Sequence, residues 1–255
     1  MVAGERSYGK SRFNSVTLAT VHMKKSDKLL VAWALISIPF WCGYTLFGGG
    51  YTPFPLYFSL WLGGVGAIVW FFRQRLAGTL QHWRRSNCFK FLVLGYGMVL
   101  LEEIFAALSN HLSEGFQLLV FIERIGQFWA LNIFAFTGFI VAWYVLISRV
   151  EYTNREVFYL SGAWGIFAEH VYRALFTNPP AFLLIAALEI LTYGLLITPA
   201  MLSMAPRGQR HIPRLWKYLI TYSLLFVCSL APVAILILLR THFAYLFPPT
   251  KFIAL

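Results

Sequence analysis

The chain is predicted to be an all-α membrane protein, a polytopic bundle of about seven transmembrane helices. Three observations carry this. Of its 255 residues 59% are hydrophobic and only 12% charged, with mean hydropathy +0.66, whereas a soluble domain carries about twice that charged share. The apolar residues come in runs of about twenty, the length a helix needs to cross a hydrocarbon core of about 30 Å. Those runs are continuously apolar and do not alternate, which argues against a strand-built barrel.

Taken in chain order, the apolar windows predict spans at 28–47, 53–73, 88–109, 117–148, 157–176, 181–204 and 216–240. Residues 1–27 form a basic tail, predicted disordered, in which Met23, followed by Lys24 and Lys25, offers an alternative start. No cleavable signal peptide is expected, because the first apolar run is long enough to stay as an anchor. The fourth window is too long for an upright helix. It either tilts or begins as an interfacial turn around Phe116–Glu123. Pro179-Pro180 separates spans five and six, and residues 241–255 form a short tail beyond the last span. Tyr51, Phe54, Tyr57, Trp83 and Trp216 fall near span ends, where aromatic belts sit.

The connectors set the expected orientation. Basic residues lie in the N-terminal tail (Arg6, Lys10, Arg12, Lys24, Lys25, Lys28) and in the second connector (Arg73, Arg75, Arg84, Arg85, Lys90). They recur in the fourth (Arg149, Arg155) and sixth (Arg207, Arg210, Arg214, Lys217). The first connector, Gly48 to Thr52, the third, Ser109 to Gly115, and the fifth, Thr177 to Pro180, hold no Lys or Arg. This alternation predicts a cytoplasmic N-terminus, cytoplasmic basic loops and a C-terminus outside. It also accounts for the net charge of +11 without a nucleic-acid partner. Cys42, Cys88 and Cys228 lie in separate apolar segments, with no disulfide or zinc spacing.

Five of the ten acidic residues, Glu102, Glu103, Glu123, Glu169 and Glu189, fall inside predicted spans. A charge at the membrane centre costs at least about 2.5–3.5 kcal/mol, so such residues are functional candidates and should face the bundle interior. With the orientation above, all five come to one slab toward the outer face and would share a polar chamber. Asn110, seven after Glu103, shares its helical face, with His111 close by. Glu169 and Arg173 are four apart, the spacing at which helical side chains meet, and Arg124 follows Glu123. These pairs could instead be structural ion pairs. The neighbours Glu102 and Glu103 are harder to explain that way, because they repel when both are ionised.

Two carboxylates and an imidazole can activate water, one as base and the other as acid. The segment Leu101-Glu102-Glu103-Ile104-Phe105 resembles the double-glutamate motif of intramembrane glutamic proteases, a group that includes CAAX-type prenyl proteases, bacteriocin-processing enzymes and PrsW-like proteases. Trp164-Gly165-Ile166-Phe167-Ala168-Glu169-His170 looks like the second motif of that group. The CAAX-type Arg and the PrsW-like Lys are replaced here by Ala107 and Ala106. The resemblance implies a hydrolase with Glu102, Glu103, Glu169 and His170 as catalytic residues, acting on a membrane peptide or an isoprenoid- or lipid-linked substrate. Asn110, His111, Glu123, Arg124, Arg173 and Glu189 are candidates for the chamber or its rim.

A divalent metal is a further expectation, with Glu102 or Glu103, Glu169, His170 and Glu189 as oxygen and nitrogen ligands. Two other classes stay open. Buried glutamates also mark proton or ion paths in carriers, and the chain could be a scaffold subunit of a membrane complex.

Overall fold

The structure, a computed structural model, describes residues 24–47, 53–112, 115–205 and 207–247. The basic tail before Lys24, the Gly48 to Thr52 connector, part of the third connector and the end of the C-terminal tail lie outside the described residues. What is described is helical, with one isolated bridge between Val150 and Arg210 and no strand among the described residues.

Seven long helices follow one another: α1 Lys25–Phe47, α2 Phe54–His82, α3 Asn87–His111, α4 Leu118–Arg149, α5 Asn154–Ala168, α6 Pro179–Ser203 and α7 Arg214–His242. All except α5 are long and apolar enough to cross a membrane, which makes six such helices among the described residues. The protein is thus built as a multi-pass membrane protein.

The fifth predicted span is the exception. Helix α5 has 15 residues and rises about 22 Å, short of a 30 Å core. It ends where Glu169 caps it and His170 turns left-handed at φ 58°. A single 3-10 turn, Val171–Arg173, and a one-turn helix, Ala174–Thr177, complete the segment. Polar side chains and a reversed backbone replace helix in the C-terminal part of the window, which hydropathy alone does not register.

The other expectations fare differently. Helix α4 is continuous over 32 residues from Leu118, so the interfacial turn around Phe116–Glu123 gives way to one long helix. Pro179-Pro180 does not lie between helices but forms the first turn of α6, where a missing N–H costs nothing. Asn178 caps that turn, accepting from the Ala181 N–H at 3.3 Å. Within α2, residues Ser59–Gly66 wind as a π-helix, a feature frequent at functional sites.

Helix α6 is the hub. It packs on α1, α2, α3 and α5, while α7 lies at the periphery against α4. Small residues set two of these contacts, as expected where lipid removes the hydrophobic drive between helices. Side chains at Gly138 would overlap the Ser229 backbone of α7, and at Gly162 the Ile190 backbone of α6.

One end of the bundle is basic and closed by polar contacts. Lys217 meets Glu156 at 3.1 Å, Arg155 meets Asp27 at 3.1 Å, and Arg207 donates to Asn154 at 2.5 Å. The Thr153–Glu156 capping box begins α5 at this end, and Gln81 reaches the Leu202 carbonyl at 3.2 Å.

Candidate functional site

Helix α3 carries Glu102 and Glu103 about 22 Å from its Asn87 end, well inside its span. Both side chains are buried and lie within hydrogen-bonding reach of each other. The Tyr57 hydroxyl, from the turn of α2 just before the π-helical stretch, donates to Glu102 Oε1. On the far side of the site the Tyr193 hydroxyl of α6 donates to Glu169 Oε1. Glu189, one turn before Tyr193 on α6, acts electrostatically with Glu102 and Glu169, and Glu103 acts with Glu169. Four carboxylates from three separate segments therefore converge with two phenols.

Local sequence explains the placement of Glu169. Its N–H closes the last turn of α5 onto the Gly165 carbonyl at 2.9 Å, and the His170 N–H bonds the Phe167 carbonyl at 3.1 Å. His170 then takes the left-handed position that usually ends a helix on glycine. Gly165 matters for a second reason: a side chain there would overlap the ring of Tyr193. Its absence lets α6 lay that ring on α5 and bring the hydroxyl to Glu169. Phe136 and Phe139 hold the ring from the other side, at centroid distances of 5.6 and 5.8 Å.

Electrostatically the arrangement is unusual. A carboxylate at a helix C-terminus opposes the helix dipole by about 0.3–1 kcal/mol. His170 is the basic group within electrostatic reach of Glu169. Otherwise the carboxylates are met by phenols and by one another, where a structural ion pair would supply a cation.

The remaining candidates lie elsewhere. Glu123 does not join the slab. It is exposed on the second turn of α4, hydrogen-bonded with Gln127 and with the Tyr245 hydroxyl beyond α7. Its helix begins too close to the bundle end to carry it to the depth of Glu102. His111 is buried but serves the α3–α4 corner. Its Nε2 accepts from the Gln117 N–H at 2.9 Å, between the rings of Phe116 and Phe121. Asn110 donates to the Ala106 carbonyl of its own helix at 3.0 Å. Arg124 is half-buried on α4. The helical pairing of Glu169 with Arg173 fails because α5 stops between them; Arg173 is exposed and no ion pair joins the two.

Sequence reasoning missed Tyr57, which it assigned to an aromatic belt. The available signal was chemical: a tyrosine inside a span must place its hydroxyl on a partner. Metal ligation gains no support, since no group of three or more His, Cys, Asp or Glu among the described residues is arranged to hold an ion.

A groove of about 410 Å³ lies between α5 and α7, lined by Trp164, Phe167, Tyr222, Ser223 and Phe226. Phe167 stacks on Tyr172 at 5.8 Å, and Tyr172 meets the ring of His170 at 6.1 Å. An aromatic series thus runs from the groove to His170. Comparison with family models, with curated proteins and with solved structures finds no match to this chain.

Proposed function

We propose that the chain is a membrane-embedded hydrolase, with the N-terminus and basic end cytoplasmic, the C-terminus outside, and the broken α5 segment completing a seventh crossing. The observation that carries this reading is the convergence of Glu102, Glu103, Glu169 and Glu189 with the hydroxyls of Tyr57 and Tyr193, at a depth where isolated charge is costly.

In this reading Glu103 takes a proton from water as the oxygen attacks a substrate carbonyl, and Glu102, held by Tyr57, orients it. The Tyr193 hydroxyl, which donates to Glu169 in the resting site, turns its one hydrogen to the developing oxyanion. Glu169 and His170 deliver a proton to the leaving amine as the carbon–nitrogen bond breaks, so the proton taken from water is replaced on product. The groove between α5 and α7 suits a substrate that arrives from the lipid, either a membrane peptide or a prenylated one.

The test is cleavage of membrane-peptide and prenyl-peptide substrates by the purified protein in nanodiscs. Glu103→Gln is expected to reduce the rate about 10²–10⁴-fold, the usual contribution of a general base, while Glu123→Gln leaves it unchanged. Full activity in Glu103→Gln sinks the reading.

One observation favours a second reading. A helix broken beside buried acids is how many carriers expose backbone and charge to a transported ion. Acid-driven uptake in proteoliposomes that Glu169→Gln abolishes, with no peptide cleavage, would replace hydrolase by proton-coupled carrier.

A further inference from the structure

The cations of the basic end are not all in the same state. Two of those on α5 and α7 face carboxylates, Arg155 with Asp27 and Lys217 with Glu156, and His211, between the helices, lies beside Glu151. The corner between α2 and α3 is different. From Lys28 to Leu101 the sequence contains no acidic residue, yet it holds Lys28, Arg73, Arg75, Arg84, Arg85 and Lys90. Among the described residues no carboxylate pairs with Arg75, Arg84 or Arg85; two of them lean on aromatic rings, Arg75 over Phe72 at 5.9 Å and Arg85 over Phe89 at 5.8 Å.

The same corner carries an open cleft of about 930 Å³, lined by Arg75, Gly78, Thr79, His82 and Trp83. His82 is held in place by Nδ1, which donates to the Gly78 carbonyl at 2.6 Å. The depth of the cleft follows from helix length. Twenty residues of α2 from Phe54 cross a 30 Å core, so the helix leaves the hydrocarbon near Arg73. Its last turns, with Trp70 and Trp83 on either side, then run at headgroup level, where Trp is favoured.

We propose that the α2–α3 corner is a binding site for an anionic phospholipid, with the lipid phosphate held by Arg75, Arg84 and Arg85 and by the hydroxyl of Thr79. Arginine suits this role because its planar fork matches a phosphate with two parallel hydrogen bonds. A zwitterionic headgroup would bring its own cation into a corner that already lacks negative charge. The site is independent of the carboxylate cluster and of any activity assigned to it.

The experiment is native mass spectrometry of the full chain released from nanodiscs containing equal phosphatidylglycerol and phosphatidylcholine. Wild type is expected to retain phosphatidylglycerol over phosphatidylcholine about tenfold or more, each arginine that meets the bound phosphate contributing about fivefold. The variant Arg75→Gln/Arg84→Gln/Arg85→Gln is expected to lose most of that preference, and the control Arg149→Gln/Arg214→Gln to keep it within about twofold. Wild type with no preference overturns the proposal even if the arginine variant does not fold. An equal loss in the control also overturns it, since the effect is then general surface charge. Competition by millimolar glycerol phosphate would assign the cleft to a soluble phosphate and overturn the lipid assignment.

Discussion

Helix α5 carries a glutamate at each end, and the two are treated in opposite ways. At its start Glu156 accepts from the Thr153 N–H at 2.8 Å and from Lys217 at 3.1 and 3.3 Å. It sits at the helix N-terminus, where the dipole favours an anion. At the end Glu169 sits where the dipole opposes it, and its partner is the neutral Tyr193 hydroxyl. Burial pushes the Glu156 carboxyl up, but the hydrogen bonds from Thr153 and Lys217 outweigh it and leave it below the usual carboxylate range. The first carboxylate is arranged for stability. The second is arranged against it, and that contrast distinguishes the two more clearly than depth does.

The sharpest way to break the comparison is at Lys217, whose side chain is 8% exposed against 21% for Glu156. Lys217→Met leaves a partly buried carboxylate without its cation, and the expected loss of stability is about 3 kcal/mol. Adding Glu156→Gln should recover most of it. Thermal unfolding in detergent reads both. Tyr193→Phe at the other end should cost only about 1 kcal/mol, the worth of a hydrogen bond, while reducing the proposed activity about 10²-fold or more. If Tyr193→Phe unfolds the protein as readily as Lys217→Met, the two ends do not differ in kind.

The fold was more legible in the sequence than this contrast. Runs of apolar residues revealed the long helices, because length against bilayer thickness is a strong constraint. The positions of Glu102, Glu169 and Glu189 in spans of alternating direction led to the expectation of a shared level. Three things were not legible. The break after Ala168 depends on a left-handed His170, a conformation that composition does not signal. Glu123 was misplaced because α4 begins at Leu118, so the residue is only about 8 Å into its helix. Tyr57 was passed over because an aromatic at a span end has a simpler explanation until its hydroxyl is seen on Glu102.

Gly165 tests how the second end is built. Gly165→Val forces the new side chain into the Tyr193 ring, and overpacking of this kind costs about 1–3 kcal/mol. The loss should be accompanied by the same fall in activity as Tyr193→Phe, since the ring must withdraw from α5. Gly97→Val, at a position with no heavy atom within 4 Å of the added Cβ, should do neither.

A pH titration sharpens the first end. Because Glu156 titrates lower in the folded protein, its contribution is complete above the unfolded carboxylate value of about 4.3. It is lost as pH falls through the folded value. Unfolding followed from pH 6 to pH 3 should therefore show stability declining at the acid end of that range. Lys217→Met should flatten the decline, because one of the groups that lowers the Glu156 carboxyl is gone. An identical acid profile in the two proteins would assign the decline to other carboxylates.

The smallest expected effect lies at His170, and it distinguishes strain from chemistry. A non-glycine residue at φ 58° is disfavoured by about 1 kcal/mol, and the exposed imidazole gains little packing in return. His170→Gly should therefore raise stability by up to about 1 kcal/mol. If His170 only terminates α5, the glycine protein is more stable and equally active. If the imidazole exchanges protons with Glu169, the same substitution stabilises the fold while lowering activity, and His170→Asn, which also tolerates the left-handed turn, lowers activity as well. Stability gained together with activity lost is the signature of a residue kept for something other than folding, and no change at Lys217 or Glu156 should reproduce it.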